Sequence, residues 1–264
     1  MSLSAAGPVA LASLPRMLAR QTLMAFIALL RVPAFTISGL ALPVMFYAFF
    51  GLPNLHQTID GVGGGVYLLG SFGAYSMSSL MVFNFGIGVA QERGGKVDLL
   101  MRATPLPPPI YLLSKLIVAV VFALIALLLL IAFAVLVGGV RVPLGTVAVI
   151  VGRLLLGSIP FIGMGFAIGY GFGASAAPGI TNLIYLPMSF ASGIFIPLTH
   201  LPEFVQRVAP YLPTYHFGQL AWISVGAPHT EPLPIAALGL TIWTLIFFAI
   251  ALRSYRAEEE RKFG

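Results

Sequence analysis

Residues 91–115 read QERGGKVDLLMRATPLPPPIYLLSK, four cations, two acids and four prolines set between long apolar runs. Whether this stretch is an ordinary solvated surface or an interruption between membrane crossings decides the fold. Composition answers the question. The chain has 264 residues, 59% of them hydrophobic and 8% charged, where a soluble domain carries about 25% charged residues. Its 14 basic and 8 acidic side chains are too few to keep a globule of this length free of exposed apolar patches. The chain therefore reads as an integral membrane protein of the all-α class. There is no cysteine, which excludes disulfides, thiolate metal sites and cysteine nucleophiles. The net charge of +6 does not point to nucleic acid, because the cations sit at the ends of apolar runs and form no basic stripe with interleaved aromatics.

Working outward from the island, apolar runs long enough to cross about 30 Å of hydrocarbon as helices lie at about 33–51, 66–90, 112–137, 146–172, 178–197 and 233–252. Six spans put both termini on one side, and the positive-inside rule selects the cytosol. On that side fall Arg16, Arg20, Arg31, Arg93, Lys96, Arg102, Lys115, Arg253, Arg256, Arg261 and Lys262, against Arg141, Arg153 and Arg207 outside or near it. His56, His200, His216 and His229 then lie on the outer side with Asp60, Glu203 and Glu231. Before the first span, Arg16, Arg20 and Arg31 project within about 60° of one another on a helix, beside Leu14, Met17, Leu18, Phe26 and Leu30. This pattern predicts an uncleaved helix in the cytosolic interface; the alternative is a ragged start to the first span.

Several motifs dissolve on inspection. GYGFGA at 169–174 matches a dinucleotide fingerprint formally, but no Asp or Glu occurs between Asp98 and Glu203 to hold a ribose. Gly165, Gly169 and Gly173 recur every fourth residue and predict a face for close helix packing. GVGGGV at 61–66 reads as a flexible outer loop. No P-loop and no nucleophile elbow is present. His200 and Glu203, one turn apart, lack the further ligands of a metal site. Ser71, Tyr75, Ser78 and Ser79 form a mildly polar strip with Asn84 below it, either part of a substrate path or a small-residue packing face. Asn84 and Asn182 read either as interhelical hydrogen-bonding groups or as substrate contacts, and Arg153 within the fourth span either faces a wet cavity or snorkels to the interface.

Inside the island, Glu92 with Lys96 and Asp98 with Arg102 are acid-then-base pairs at i,i+4, and Val97, Leu100 and Met101 share one face. The segment predicts a short amphipathic helix, weakened at Gly94-Gly95 and stopped by TPLPPP. It either rests on lipid or docks on a cytosolic partner.

The chain resembles the membrane subunits of ABC type-2 transporters over nearly its whole length, through this island and through SGIFIPLTHLPEFVQRVAPYLPTYHF after the fifth span. Glu92, Gly95, Asp98-Leu99, Arg102 and Pro105 match the family's coupling helix; the second glycine at Gly94-Gly95 departs from its pattern. Gly193, Pro197, Leu201-Pro202 and Pro213 match its outer re-entrant hairpin. The resemblance implies one transmembrane domain over residues 1–264, with six transmembrane helices, an N-terminal interfacial helix, a coupling helix and the hairpin. It implies a permease in the cytoplasmic membrane, not itself an enzyme. It also implies two copies of an ATPase subunit that carries ATP and Mg, and a second permease copy as homodimer or heterodimer. The coupling surface would comprise Glu92, Gly95, Val97, Asp98, Leu99, Leu100, Met101, Arg102 and Pro105. The cargo expected is a drug, natural product or lipid, or else a polysaccharide or lipid-linked glycan.

Independently of the resemblance, Pro202 and Glu203 suit a helix start, and Glu203 pairs with Arg207 at i,i+4. Phe204, Val205 and Val208 supply a face able to dip into the outer leaflet. Rival classes fare poorly, since neither an intramembrane enzyme nor an ion-coupled transporter finds a carboxylate or histidine at mid-membrane depth. A single cysteine at Gln206 is expected to react with an impermeant thiol reagent applied outside; reaction from the cytosolic side alone inverts the topology.

Overall fold

The computed structural model describes residues 13–59, 61–95, 104 and 106–263. Its helices are α1 (Leu14–Leu30), α2 (Pro33–Phe46, continued by a π turn over Tyr47–Gly51), α3 (Gly64–Gly94), α4 (Pro108–Leu136), α5 (Leu144–Gly157), α6 (Ile159–Gly171), α7 (Ala177–Ala191), α8 (Glu203–Val208), α9 (Pro213–Val225) and α10 (Leu233–Phe263). Proline occupies the first turn of α1, α2, α4, α6, α7 and α9, where its missing N–H costs nothing and its fixed φ favours the helix.

Four helical stretches are long and apolar enough to cross a membrane: Gly64–Gly94, Pro109–Leu136, α5 with α6 as Leu144–Gly171, and Leu233–Glu260. The protein is thus an all-α, multi-span membrane protein. The other two expected spans are shorter. Thr36–Gly51 is one; α7, with 15 residues, reaches only about 22 Å at 1.5 Å per residue. The run expected to continue to residue 197 stops at Ala191 because Gly193 adopts φ 86°, a left-handed conformation open to glycine. That turn sends Phe195 back among Phe46, Tyr75 and Phe190, at centroid distances of 5.3, 5.0 and 4.4 Å. The fourth expected span is also interrupted, at Ser158, where Pro160 supplies no donor for the helical ladder.

Around α3 the other helices assemble: α2, α4, α6, α7 and α9 all pack on it, and 89% of its most apolar window is buried against 22% for α10. A post buried on all sides needs small residues wherever a neighbour comes close. On α6, a Cβ at Gly165 would sit 2.7 Å from Phe85 Cβ, and one at Gly169 would sit 2.8 Å from the Phe85 carbonyl oxygen. The third member of the expected glycine face, Gly173, lies beyond the end of α6, and a Cβ there would meet nothing within 4 Å. So two of the three glycines make the close contact.

GVGGGV is ordered rather than a loose loop. Thr58 pairs with Gly63 and Ile59 with Val62 in a two-stranded antiparallel hairpin, and Gly64-Gly65 already belong to α3, buried against Asn54 and Leu55.

Beyond α7 the chain folds a helical hairpin. Leu198–His200 forms a 3-10 turn, Pro202 precedes α8, and Arg207 pairs with Glu203 at 3.2 Å as the i,i+4 spacing predicts. Phe204 and Val208 on α8 are exposed. Helix α9 is instead almost wholly buried: Trp222 donates from Nε1 to Ser71 Oγ at 2.9 Å and stacks on Tyr67, while Phe217 meets Phe161 just past the Ser158 break.

Gly165→Ala is expected to destabilise the protein by about 1–3 kcal/mol through overpacking, whereas Gly173→Ala should stay within about 0.5 kcal/mol of the parent. Thermal unfolding in detergent measures both; equal effects would disprove the close α3–α6 contact.

Candidate functional site: a charged knot where four helices end

Residues Gln91–Gly94 form the last turn of α3 rather than the start of a separate helix, and Gly95 caps it. The cause is visible in the neighbours. A Cβ on Gly94 would stand 2.8 Å from Ala174 Cβ, so glycine lets the end of α3 lie against the turn that leaves α6. Arg93, one residue earlier, reaches across that turn. Its Nη1 donates to the Gly169 carbonyl and, at 3.4 Å, to the Phe172 carbonyl. The first is a carbonyl of the last turn of α6, unsatisfied within the helix and at the negative end of its dipole, and the second belongs to the residue that ends it. The guanidinium also lies 5.6 Å from the Tyr170 ring centroid, a cation–π distance, and its Nε lies 2.5 Å from Glu258 Oε2 on α10.

Beside it, Glu92 turns to α4: its Oε2 accepts from Lys115 Nζ and from the Tyr111 hydroxyl, each at 2.5 Å. Two adjacent residues thus bind α3 to α4, α6 and α10 at one pole of the bundle, with Tyr170 and Tyr255 edge-to-face at 5.2 Å completing the α6–α10 contact. The Arg93 and Glu258 side chains are 19% and 14% exposed, buried enough for the pair to act in a reduced dielectric.

The residues singled out in the sequence distribute as follows. Glu92 and Gly95 stand at this knot. Val97, Asp98, Leu99, Leu100, Met101, Arg102 and Pro105 lie outside the described residues, as does Lys96. Gly193, Pro197, Pro202, Glu203 and Pro213 come together in the helical hairpin. Ser78, Asn84, Arg153 and Asn182 are not gathered in one place. Ser78 is fully buried, donates to the Ala74 carbonyl and pairs with the Tyr185 hydroxyl at 2.8 Å. Asn84 is half-buried on α3, and Arg153 is half-buried on α5 without an ion pair among the described residues. Asn182 is exposed on α7 and borders a pocket of ≈ 330 Å³ walled by Phe46, Tyr75, Ser79, Phe83 and Leu186.

Sequence reasoning did not find the Arg93–Glu258 pair, nor a second clasp at the opposite pole. There His216 Nδ1 lies 2.9 Å from Glu231 Oε2, and Gln219 accepts from the Thr230 N–H at 2.9 Å while donating to its Oγ1. Both signals were present as charged residues flanking apolar runs assigned to one side. No local spacing rule joins them. Among the described residues no three His, Cys, Asp or Glu cluster as metal ligands would.

Residues 54–253 match the family described as ABC-2 family transporter protein. The chain is also 26% identical over 231 residues to the candidate transport permease YvfS of Bacillus subtilis (strain 168), an alignment covering 87% of this chain and 94% of that one.

Arg93→Ala is expected to cost about 1.5–3 kcal/mol, because it removes the ion pair with Glu258 and the hydrogen bonds that cap α6. The Arg93→Ala/Glu258→Ala double variant should recover about 0.5–3 kcal/mol of coupling. Unfolding midpoints in detergent test this, and strictly additive losses would show that the two side chains do not interact.

Proposed function

We propose that this chain, which belongs to the ABC-2 family of transporter proteins, is the membrane permease of an ATP-driven exporter whose coupling element is the stretch that follows the Arg93 knot. Members of this family are transport subunits without catalysis of their own; the ATP and Mg reside in a separate ATPase subunit. The proposed assembly holds two ATPases and two permeases, the second permease being another copy of this chain or a similar one.

The observation that carries the reading is the knot itself. The proposed docking residues Val97, Leu100 and Met101 follow Arg93 by four to eight residues in sequence, and Glu92 and Arg93 are themselves fastened to three other helices. A displacement of Glu92 and Arg93 driven by nucleotide-dependent closure of the ATPases reaches α4, α6 and α10 at once. Rigid elements joined by ion pairs are what mechanical coupling over such distances requires.

In this reading the chain crosses six times, using α2 and α7 as the two short crossings, with the knot at the cytosolic pole and the α8–α9 hairpin outside. Eleven cations at the knot's side of the spans support that orientation. Cargo enters from the inner leaflet or the cytosol. The pocket that Asn182 lines, mostly aromatic and aliphatic with Ser38, Tyr75, Ser79 and Asn182 as its polar groups, favours an amphipathic substrate over a glycan.

The purified chain alone is expected to hydrolyse no ATP. Leu100→Asp should abolish co-purification of the ATPase subunit while the permease still inserts, since it forfeits about 1.5–3 kcal/mol of burial and adds the desolvation of a charge. Asp98→Lys should do less, a partly exposed pair contributing about 0–1 kcal/mol. An intact complex and undiminished transport in Leu100→Asp would disprove the docking role.

A further inference from the structure

Helix α1 leaves a groove against α4. Pro15, Leu18, Thr22 and Phe26 form one wall and Ile117 and Val121 the other, bordering ≈ 540 Å³ of almost wholly apolar space that is open on one side. Phe26 and Phe122, 5.1 Å between centroids, close one end. Thr22 Oγ1 borders this space and is shielded from solvent with no hydrogen-bond partner, which is unusual for a buried hydroxyl.

The charge beside the groove is one-sided. At 100° per residue, Arg16 and Arg20 lie about 20° and 60° beyond Leu23, the residue at the groove's edge on α1. Both are exposed, neither forms an ion pair among the described residues, and α1 contains no acid at all. A chain-shaped apolar slot edged by unneutralised arginines is complementary to a molecule with a hydrocarbon tail and an anionic head.

We infer that the α1–α4 groove seats an anionic phospholipid, its acyl chain between Leu18, Phe26 and Val121 and its phosphate on Arg16 and Arg20. Arginine suits the head because its planar fork pairs two phosphate oxygens at once, and basic pockets beside transmembrane helices on the cytosolic side are where anionic lipid heads bind. The inference rests on the interfacial placement of α1. The lipid would act as a wedge that holds α1 against α4, one helix away from the Lys115–Glu92 contact.

The test uses the full chain in phosphatidylcholine vesicles containing trace phosphatidylglycerol or phosphatidylcholine with a photoreactive group in the acyl chain, with labelled peptides mapped by mass spectrometry. The phosphatidylglycerol probe is expected to label residues 15–26 and 117–121 several-fold more than the phosphatidylcholine probe. Arg16→Gln/Arg20→Gln, both exposed positions, should abolish that preference while leaving chain labelling, and Ala19→Phe, which fills the slot, should abolish labelling by both probes. Equal labelling by the two probes in the parent protein, an unchanged preference in the double variant, or crosslinks between two copies at the groove would overturn the lipid seat. Labelling of α10 with none on α1 would instead remove α1 from the bilayer, overturning its interfacial placement and the seat together.

Discussion

The contact that the rest of the structure depends on is the approach of α6 to α3 at Gly165 and Gly169. In hydrocarbon there is no hydrophobic gain from bringing helices together, so close van der Waals packing and polar contacts between helices must hold them. Two glycines on α6 allow backbone to meet backbone there. The same approach brings the carbonyl end of α6 within reach of Arg93, and α10, packed along α6, delivers Glu258 to the other side of the guanidinium. The glycine contact and the charged knot are therefore one construction: the first sets the distance that the second closes.

This arrangement explains how a chain with few charges keeps several of them partly buried. Arg93 is surrounded by two carbonyls, an aromatic face and a carboxylate, and Glu92 by an ammonium and a phenol. These contacts offset part of the cost of removing the charges from water, although Arg93 Nε, close to the Glu258 carboxylate, makes no hydrogen bond. At the opposite pole, Glu231 and His216 fasten α9 to the start of α10, while Gly239 leaves room for the imidazole. Trp243 adds a hydrogen bond to the Tyr211 carbonyl at 3.1 Å. The long helix α10 is held at both ends.

Much of this was legible in the sequence, and the division follows sequence distance. Apolar runs located the long helices because the bilayer demands length and hydrophobicity, and period-four glycines pointed to a close packing face on α6, without naming α3 as its partner. The Glu203–Arg207 pair followed from helical spacing. What stayed hidden depended on contacts between distant segments. Glu92 is read locally as a partner for Lys96, yet it holds Lys115 and Tyr111 on another helix. Gly94 reads as a flaw in a helix until Ala174 is seen against it. The early end of α7 follows from a left-handed glycine and the ring cluster that Phe195 completes, neither of which hydropathy registers. The glycine run at 61–66 misled for the same reason: composition says flexible, whereas Gln57 and Asn54 pin it.

The placement of Glu258 bears on how the protein is made. Arg93 emerges from the ribosome early, and the carbonyls that cap it arrive with α6, but its carboxylate partner belongs to a helix synthesised long after both. During that interval the guanidinium has its carbonyl partners but not its carboxylate. Membrane insertion and tertiary closure are then linked in time, and a chain interrupted before Glu258 would leave the nascent bundle with a partly buried cation lacking its carboxylate.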